Sequence, residues 1–302
     1  MLILRFSPGL GASLLMAVLM NATALEAQTI AAPRGPGHAF DWQTEFSAAP
    51  RSNIAEGSRE LGEIRHQLAR VEGTTTIPLD ADSGLVVGAT WRRFDFSGSN
   101  ADVPTSLTAL ALKVGYTRTL SPRWSLRAEV DPGLYSDFDD LTSDDFNAPF
   151  GLRALYAQSR ELQWGLAVFV DVRSHRPVIG GIGARWQFAP QWTLLAFLPA
   201  PRVEYALAPN LTLFAGARAQ GGSFRVAEDF GRRRARPTLD NQIVDFREIT
   251  LGVGGRWQVQ PRLAVSLGVG WMLDRRFEYE KRDLLLNGDG APIFSLSVGG
   301  SF

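Results

Sequence analysis

The sequence predicts an all-β chain: a closed antiparallel transmembrane β-barrel of about fourteen strands behind a cleaved N-terminal signal peptide. Three observations predict it. Apolar residues alternate with polar or small ones over long stretches, and tight connections take turns with long ones. Beyond the N-terminus no apolar run approaches the roughly 20 residues that a spanning helix needs.

The chain opens with Arg5, an apolar run at residues 10–20 and the small-residue sequence Ala22-Thr23-Ala24. A basic start, a short apolar segment and an A-x-A site make a secretory signal peptide. Residues 1–24 are therefore assigned to it, with cleavage after Ala27 as the alternative. Residues 25–40, holding Pro33, Gly35, Pro36 and Gly37, read as a flexible lead-in. Residues 41–302 are left for the barrel.

In "LQWGLAVFVDV" (residues 162–172) Leu162, Trp164, Leu166, Val168, Val170 and Val172 share one face, and Gln163, Gly165, Ala167, Phe169 and Asp171 the other. Such strict alternation marks strand and excludes helix. It recurs at residues 110–116, 124–130, 150–156, 178–188, 211–220, 249–259 and 263–274. Near Arg92 and Arg93 the rhythm breaks, since Trp91 and Phe94 fall on opposite parities, and a β-bulge is expected there. The count is about fourteen segments, or twelve if the pair around "FLPAPR" (residues 197–202) forms only a low rim.

Four connections carry one phrase: "LSPRW", "FAPQW", "LAPNL" and "VQPRL", with prolines at 122, 190, 209 and 261. Proline presets the backbone for a tight turn and a polar residue follows easily. Between these turns lie long polar connections at residues 136–149, 225–242 and 279–290. Short turns on one rim and long loops on the other are the pattern of an outer-membrane barrel. A soluble sandwich would alternate similarly, but strand length and loop asymmetry disfavour it. Trp124, Trp164, Trp186, Trp192 and Trp257 stand near the tight turns on the apolar parity, where indole rings form an interfacial girdle.

The opposite parity predicts a lumen lined by Lys113, Arg127, Glu129, Arg153, Asp171, Arg185, Arg202, Glu204, Arg218, Arg256 and Asp274, with Arg92 and Asp131. Arg127, Arg185 and Arg256 each stand five residues from a proline turn, at one depth with Glu204. Rings of arginine favour anions in a pore; paired with carboxylates, the same residues brace the wall.

Other classes find less support. With 31 basic and 31 acidic residues the chain has no electrostatic footprint for nucleic acid. It has no cysteine, and no metal or cofactor site is expected. Its three histidines are His38, His66 and His175. Ser174-His175 is the one trace of an outer-membrane hydrolase, and no further motif supports an enzyme. The aspartates at 137, 139, 140, 144 and 145 lack the EF-hand spacing, and Arg232, Arg233, Arg234 and Arg236 read like them as hydrated loops.

The last strand, "PIFSLSVGGSF", places Phe294, Leu296, Val298 and the terminal Phe302 on one parity, with Gly300 between. This ending resembles the signal by which bacterial outer-membrane proteins are delivered to the barrel-assembly machinery. As a whole the chain resembles a bacterial outer-membrane β-barrel. Within that class "FAPQWTLLAFLPAPRVEYALAPNLTLFAGA" (residues 188–217) and the ending resemble an uncharacterised barrel family classed as a domain of unknown function. The resemblance implies the bacterial outer membrane as location, with its lipid and the assembly machinery as partners. The expected role is porin-like passive passage of small solutes; the alternative is a closed structural or surface-binding barrel without transport.

Overall fold

The computed structural model describes residues 40–98, 102–279 and 284–302. The predicted signal peptide, nearly all of the lead-in and His38 lie outside these. The wall is a single sheet of seventeen strand segments that make fourteen staves. The first four are β1 (Phe40–Glu56), β2 (Arg59–Pro78), β3 (Ser83–Ser97) and β4 (Ser106–Ser121). The fifth is split into β5 (Trp124–Val130) and β6 (Gly133–Ser136), and the sixth into β7 (Phe146–Asn147) and β8 (Phe150–Ala157). Pro132 and Pro149 stand at the two breaks, where a residue without an N–H interrupts the ladder.

Next come β9 (Leu162–Val170), β10 (Val178–Ala189), β11 (Trp192–Leu195), β12 (Arg202–Ala208), β13 (Leu211–Arg225), β14 (Ile243–Gln260) and β15 (Leu263–Tyr279). The last stave is β16 (Leu284–Gly288) with β17 (Ala291–Ser301). β17 pairs with β1 from Asp41↔Ser301 to Ala48↔Phe294 and closes the barrel. Closure matters because an unpaired backbone group in hydrocarbon costs several kcal/mol.

The proline turns all lie on one rim, where β4 meets β5, β10 meets β11, β12 meets β13 and β14 meets β15. The pair β11–β12 is a true part of the wall, from Trp192↔Tyr205 to Leu195↔Arg202, but it is low. Above it residues 178–183 of β10 have no strand on their far side, and the upper end of β13 leans the other way. There Arg225 pairs in parallel with Ser136 of β6. The bend is made at Gly221 and Gly222, both with positive φ, and a Cβ on Gly221 would sit 2.0 Å from the Phe246 carbonyl oxygen. The turn at residues 171–177 lies over this seam, with Ser174 Oγ and the His175 N–H donating to Asp245 at 3.2 and 2.7 Å.

Two expectations from parity need correction. The β2–β3 and β3–β4 registers run without a shift from Trp91 through Phe94, so no bulge lies there. Trp91 simply faces outward and Phe94 inward. A shift does occur between Ile249↔Asp274 and Thr250↔Met272, which leaves Leu273 as an extra residue. Asp274 is thereby carried to the outer face, where it bonds Arg247 at 2.7 Å and Arg276 at 2.8 Å.

The interior is not uniform. Toward the long-loop end it is packed solid. Phe94 meets Phe246 at 4.8 Å and Phe224 at 6.2 Å, and Phe96 meets Phe277 at 4.9 Å. β3 is not a neighbour of β13, β14 or β15 in the sheet, so these rings meet across the lumen. Residues 226–242 fold down onto them and bury Val226, Ala227, Phe230 and Leu239. This is an apolar plug made by both the wall and a loop.

Within the plug, His66 Nδ1 lies 2.7 Å from Glu248 Oε2, both side chains 0% exposed. Gln220 donates to the same carboxylate at 2.9 Å, and Arg275, its cross-strand neighbour, is buried beside it. Removing the Glu248 carboxylate leaves the buried Arg275 charge uncompensated, which costs about 3–5 kcal/mol. Glu248→Ala is therefore expected to lower the urea midpoint of folded barrel, read from heat-dependent migration on gels; an unchanged midpoint would show that the cluster contributes nothing.

Candidate functional site: the lumen and the cleft beside the plug

The outer surface fixes where the bilayer sits. Leu110, Leu112, Val114, Leu152, Leu166, Val168, Ile182, Leu251, Val253, Leu267 and Val269 are exposed around the wall. Below them stand the five predicted tryptophans, 40–52% exposed and outward. Trp124 packs on Tyr156 at 4.9 Å, Trp192 on Tyr205 at 4.7 Å, and Trp164 Nε1 donates to Gln158 at 2.8 Å. An apolar band closed by an aromatic belt on the short-turn rim is the surface of an outer-membrane barrel. Phe294, Leu296 and Val298 lie on the lipid side of β17, and Phe302 stacks against Trp42 at 6.4 Å.

At the level of this band the lumen is polar. Lys113 stands among Asp131, Glu129 and Glu72 at 3.2, 3.4 and 3.7 Å. Arg127 Nε donates to Glu129 at 3.0 Å, Arg153 is 3.9 Å from the same carboxylate, and Arg70 pairs with Glu72. Across the lumen Arg218 pairs with Glu45, while Glu204 receives Arg202 at 2.8 Å and Arg256 at 3.6 Å. Arg92 and Arg185 pair with no carboxylate among the described residues. The predicted arginine layer is thus divided: Arg127 joins the Glu129 group, Arg256 the Glu204 group, and Arg185 stands alone. Asp171, on the rung of Asp131, accepts from Asn147 at 2.9 Å.

Counted over this belt, nine cations (Arg70, Arg92, Lys113, Arg127, Arg153, Arg185, Arg202, Arg218 and Arg256) face six carboxylates (Glu45, Glu72, Glu129, Asp131, Asp171 and Glu204). The excess is positive. Arg256 and Arg218 keep 39% and 35% of their side chains exposed although they point inward, so the lumen below the plug is open to solvent. Glycine and serine stand on the inward parity of β14, β15 and β17, at Gly252, Gly254, Ser266, Ser295 and Ser297, with the Phe214 ring lying against Gly254.

A cleft of about 610 Å³ empty volume runs beside the plug, between β8–β10 and the β6–β13 seam. It descends from the exposed Arg176 and Pro177 past Tyr135, Phe169 and Ile179 to Arg92, Arg153, Glu129 and Asp131. Sequence reading left open whether the lumen is plugged, and it missed the cleft. It also read two loops as hydrated that in fact bind one another: Arg233 bonds Asp139 at 2.9 Å, and the Ala227 N–H donates to Asp137 at 2.9 Å. Arg236 reaches Glu56 and Asp102, both at 3.0 Å. Burial pushes the Asp137 carboxyl above the usual carboxylate range. The Ser174 hydroxyl is turned to Asp245, while His175 Nε2 lies 3.7 Å from Glu278, so the two side chains point to different partners.

Closed wall, apolar band, girdle and solvent-open charged lumen together define a bacterial outer-membrane β-barrel. Residues 52–286 match the family described as Domain of unknown function (DUF6268), and the chain belongs to that family. Among curated proteins nothing matches. Solved structures similar to it include an outer membrane channel from Pseudomonas putida F1, at 11% identity and a TM-score of 0.48 over 88% of this chain and 96% of that one. Others are the TodX monoaromatic hydrocarbon channel deltaS2 mutant, at 10% identity and 0.47 over 88% and 90%, and the NanC porin, at 9% and 0.40 over 86% and 98%.

Proposed function

We propose that the barrel is a passive passage for small solutes that prefers anions, with its outer entrance through the cleft beside the plug. The positive excess of the lumen at membrane depth carries this reading. In a narrow, low-dielectric channel such an excess concentrates ions of opposite sign. Arg92 and Arg185 contribute most, because neither pairs with a carboxylate among the described residues. Delivery by a cleaved signal peptide, recognition of the Phe294 to Phe302 ending by the assembly machinery, and a lipid-only environment for the girdle belong to the same proposal.

The plug supports a second reading, a closed structural barrel in which the ion pairs serve only to brace the wall. Purified chain in planar bilayers separates the two. Discrete conductance steps in potassium chloride are expected of the passage; a silent bilayer holding folded protein would favour the closed barrel.

A further inference from the structure

We infer that the cleft binds small carboxylates carrying an aromatic or branched apolar group, an inference that rests on the reading of the barrel as an anion passage and names its solute class. The acid end meets Arg92 and Arg153. Of the carboxylates in the cleft, Glu129 is already held by Arg127 and Lys113, Asp131 by Lys113 through one oxygen, and Asp171 by Asn147. That leaves Arg92 without an ion pair among the described residues and Arg153 with only the 3.9 Å approach to Glu129. The Arg92 Nε is buried and has no acceptor. Its guanidinium is held between the Phe94 and Phe224 rings at 5.2 and 5.9 Å, and that of Arg153 lies 5.5 Å from the Phe169 ring. Both forks lie against aromatic rings, and a planar fork suits a carboxylate.

The apolar end lies next to them. A second cavity, of about 460 Å³ empty volume, shares Arg153, Phe169 and Ile179 with the cleft and continues over Leu155, Phe197 and Leu198. Phe197 can lie there because Gly165 and Gly183 leave room; a Cβ on either would come within 2.5 Å of its ring. The lining of the second cavity is mostly apolar, as that of small-molecule sites is. A plain hydrocarbon would leave the guanidiniums unpaired, and a sugar would find few neutral partners on the apolar floor.

The test is equilibrium binding of benzoate, acetate and benzyl alcohol to the full chain in lipid nanodiscs, with empty nanodiscs as blank. Benzoate is expected to bind at least about tenfold more tightly than either of the others, since each of them lacks one half of the recognition. Arg153→Gln and Ile179→Trp, the second of which fills the floor, should each weaken benzoate by about tenfold or more. Heat-dependent gel migration checks folding; if Arg153→Gln does not fold, Arg153→Lys keeps the charge, loses the fork and should still weaken binding. Benzoate binding no tighter than acetate, or unaffected by both substitutions, would overturn the inference. Chloride conductance in the same preparation keeps the two readings apart: conductance without benzoate preference sinks only the solute class, whereas a silent bilayer sinks the passage.

Discussion

Replacing Phe94 and Phe246 together by alanine is expected to raise the single-channel conductance several-fold. Their rings touch at 4.8 Å from opposite sides of the lumen, and His66, Phe96, Phe224 and Phe277 pack on them. Truncating a buried phenylalanine costs about 3–5 kcal/mol, so the plug should lose its packing. The wall is held by an independent ladder of backbone bonds that neither ring touches, and folded barrel should still be recovered. An unchanged conductance from folded double variant would show that these rings do not close the lumen.

The second large effect is on selectivity. Arg127→Ala, Arg185→Ala and Arg256→Ala combined remove three of the belt's cations and leave Glu129 and Glu204 less compensated. In a potassium chloride gradient the reversal potential should move toward the potassium equilibrium potential. Stability should change little, because the Arg256 pair is partly exposed, where a pair is worth about 0–1 kcal/mol, and the buried Glu129 keeps Lys113 when Arg127 is removed. The opposite result, a marked loss of heat stability with selectivity intact, would assign these arginines to bracing the wall.

The wall was legible in the sequence because its two faces meet different media. Within the bilayer outward residues must be apolar, and an arginine there costs about 2–4 kcal/mol at the midplane. The proline turns then located one rim. What parity could not show is that the apolar face changes sides as a strand leaves the membrane. On β14, Leu251 and Val253 are exposed outward, while Val244 and Phe246, on the other parity, are buried in the plug. On β3 the same exchange from Trp91 to Phe94 imitates a bulge. On β15 the true bulge at Leu273 went unseen, because Leu273 extends the outward series by one more apolar residue.

The lumen was legible as a set of charges and not as a set of pairs. Depth and parity placed Arg127, Arg185 and Arg256 together, but which carboxylate each meets depends on stagger between staves far apart in sequence. The same holds for Arg233 with Asp139, whose opposite charge runs were the one available hint. The cleft left no trace in the sequence at all, since it arises where β6 reaches across to β13 above the low β11–β12 pair.

The central claim is anion passage through a closed barrel, and the reversal potential of the unaltered chain in a planar bilayer under a potassium chloride gradient tests it most directly. The predicted result is discrete steps whose reversal potential lies toward the chloride equilibrium potential. Steps that reverse toward the potassium potential, or no steps from folded protein, would contradict it.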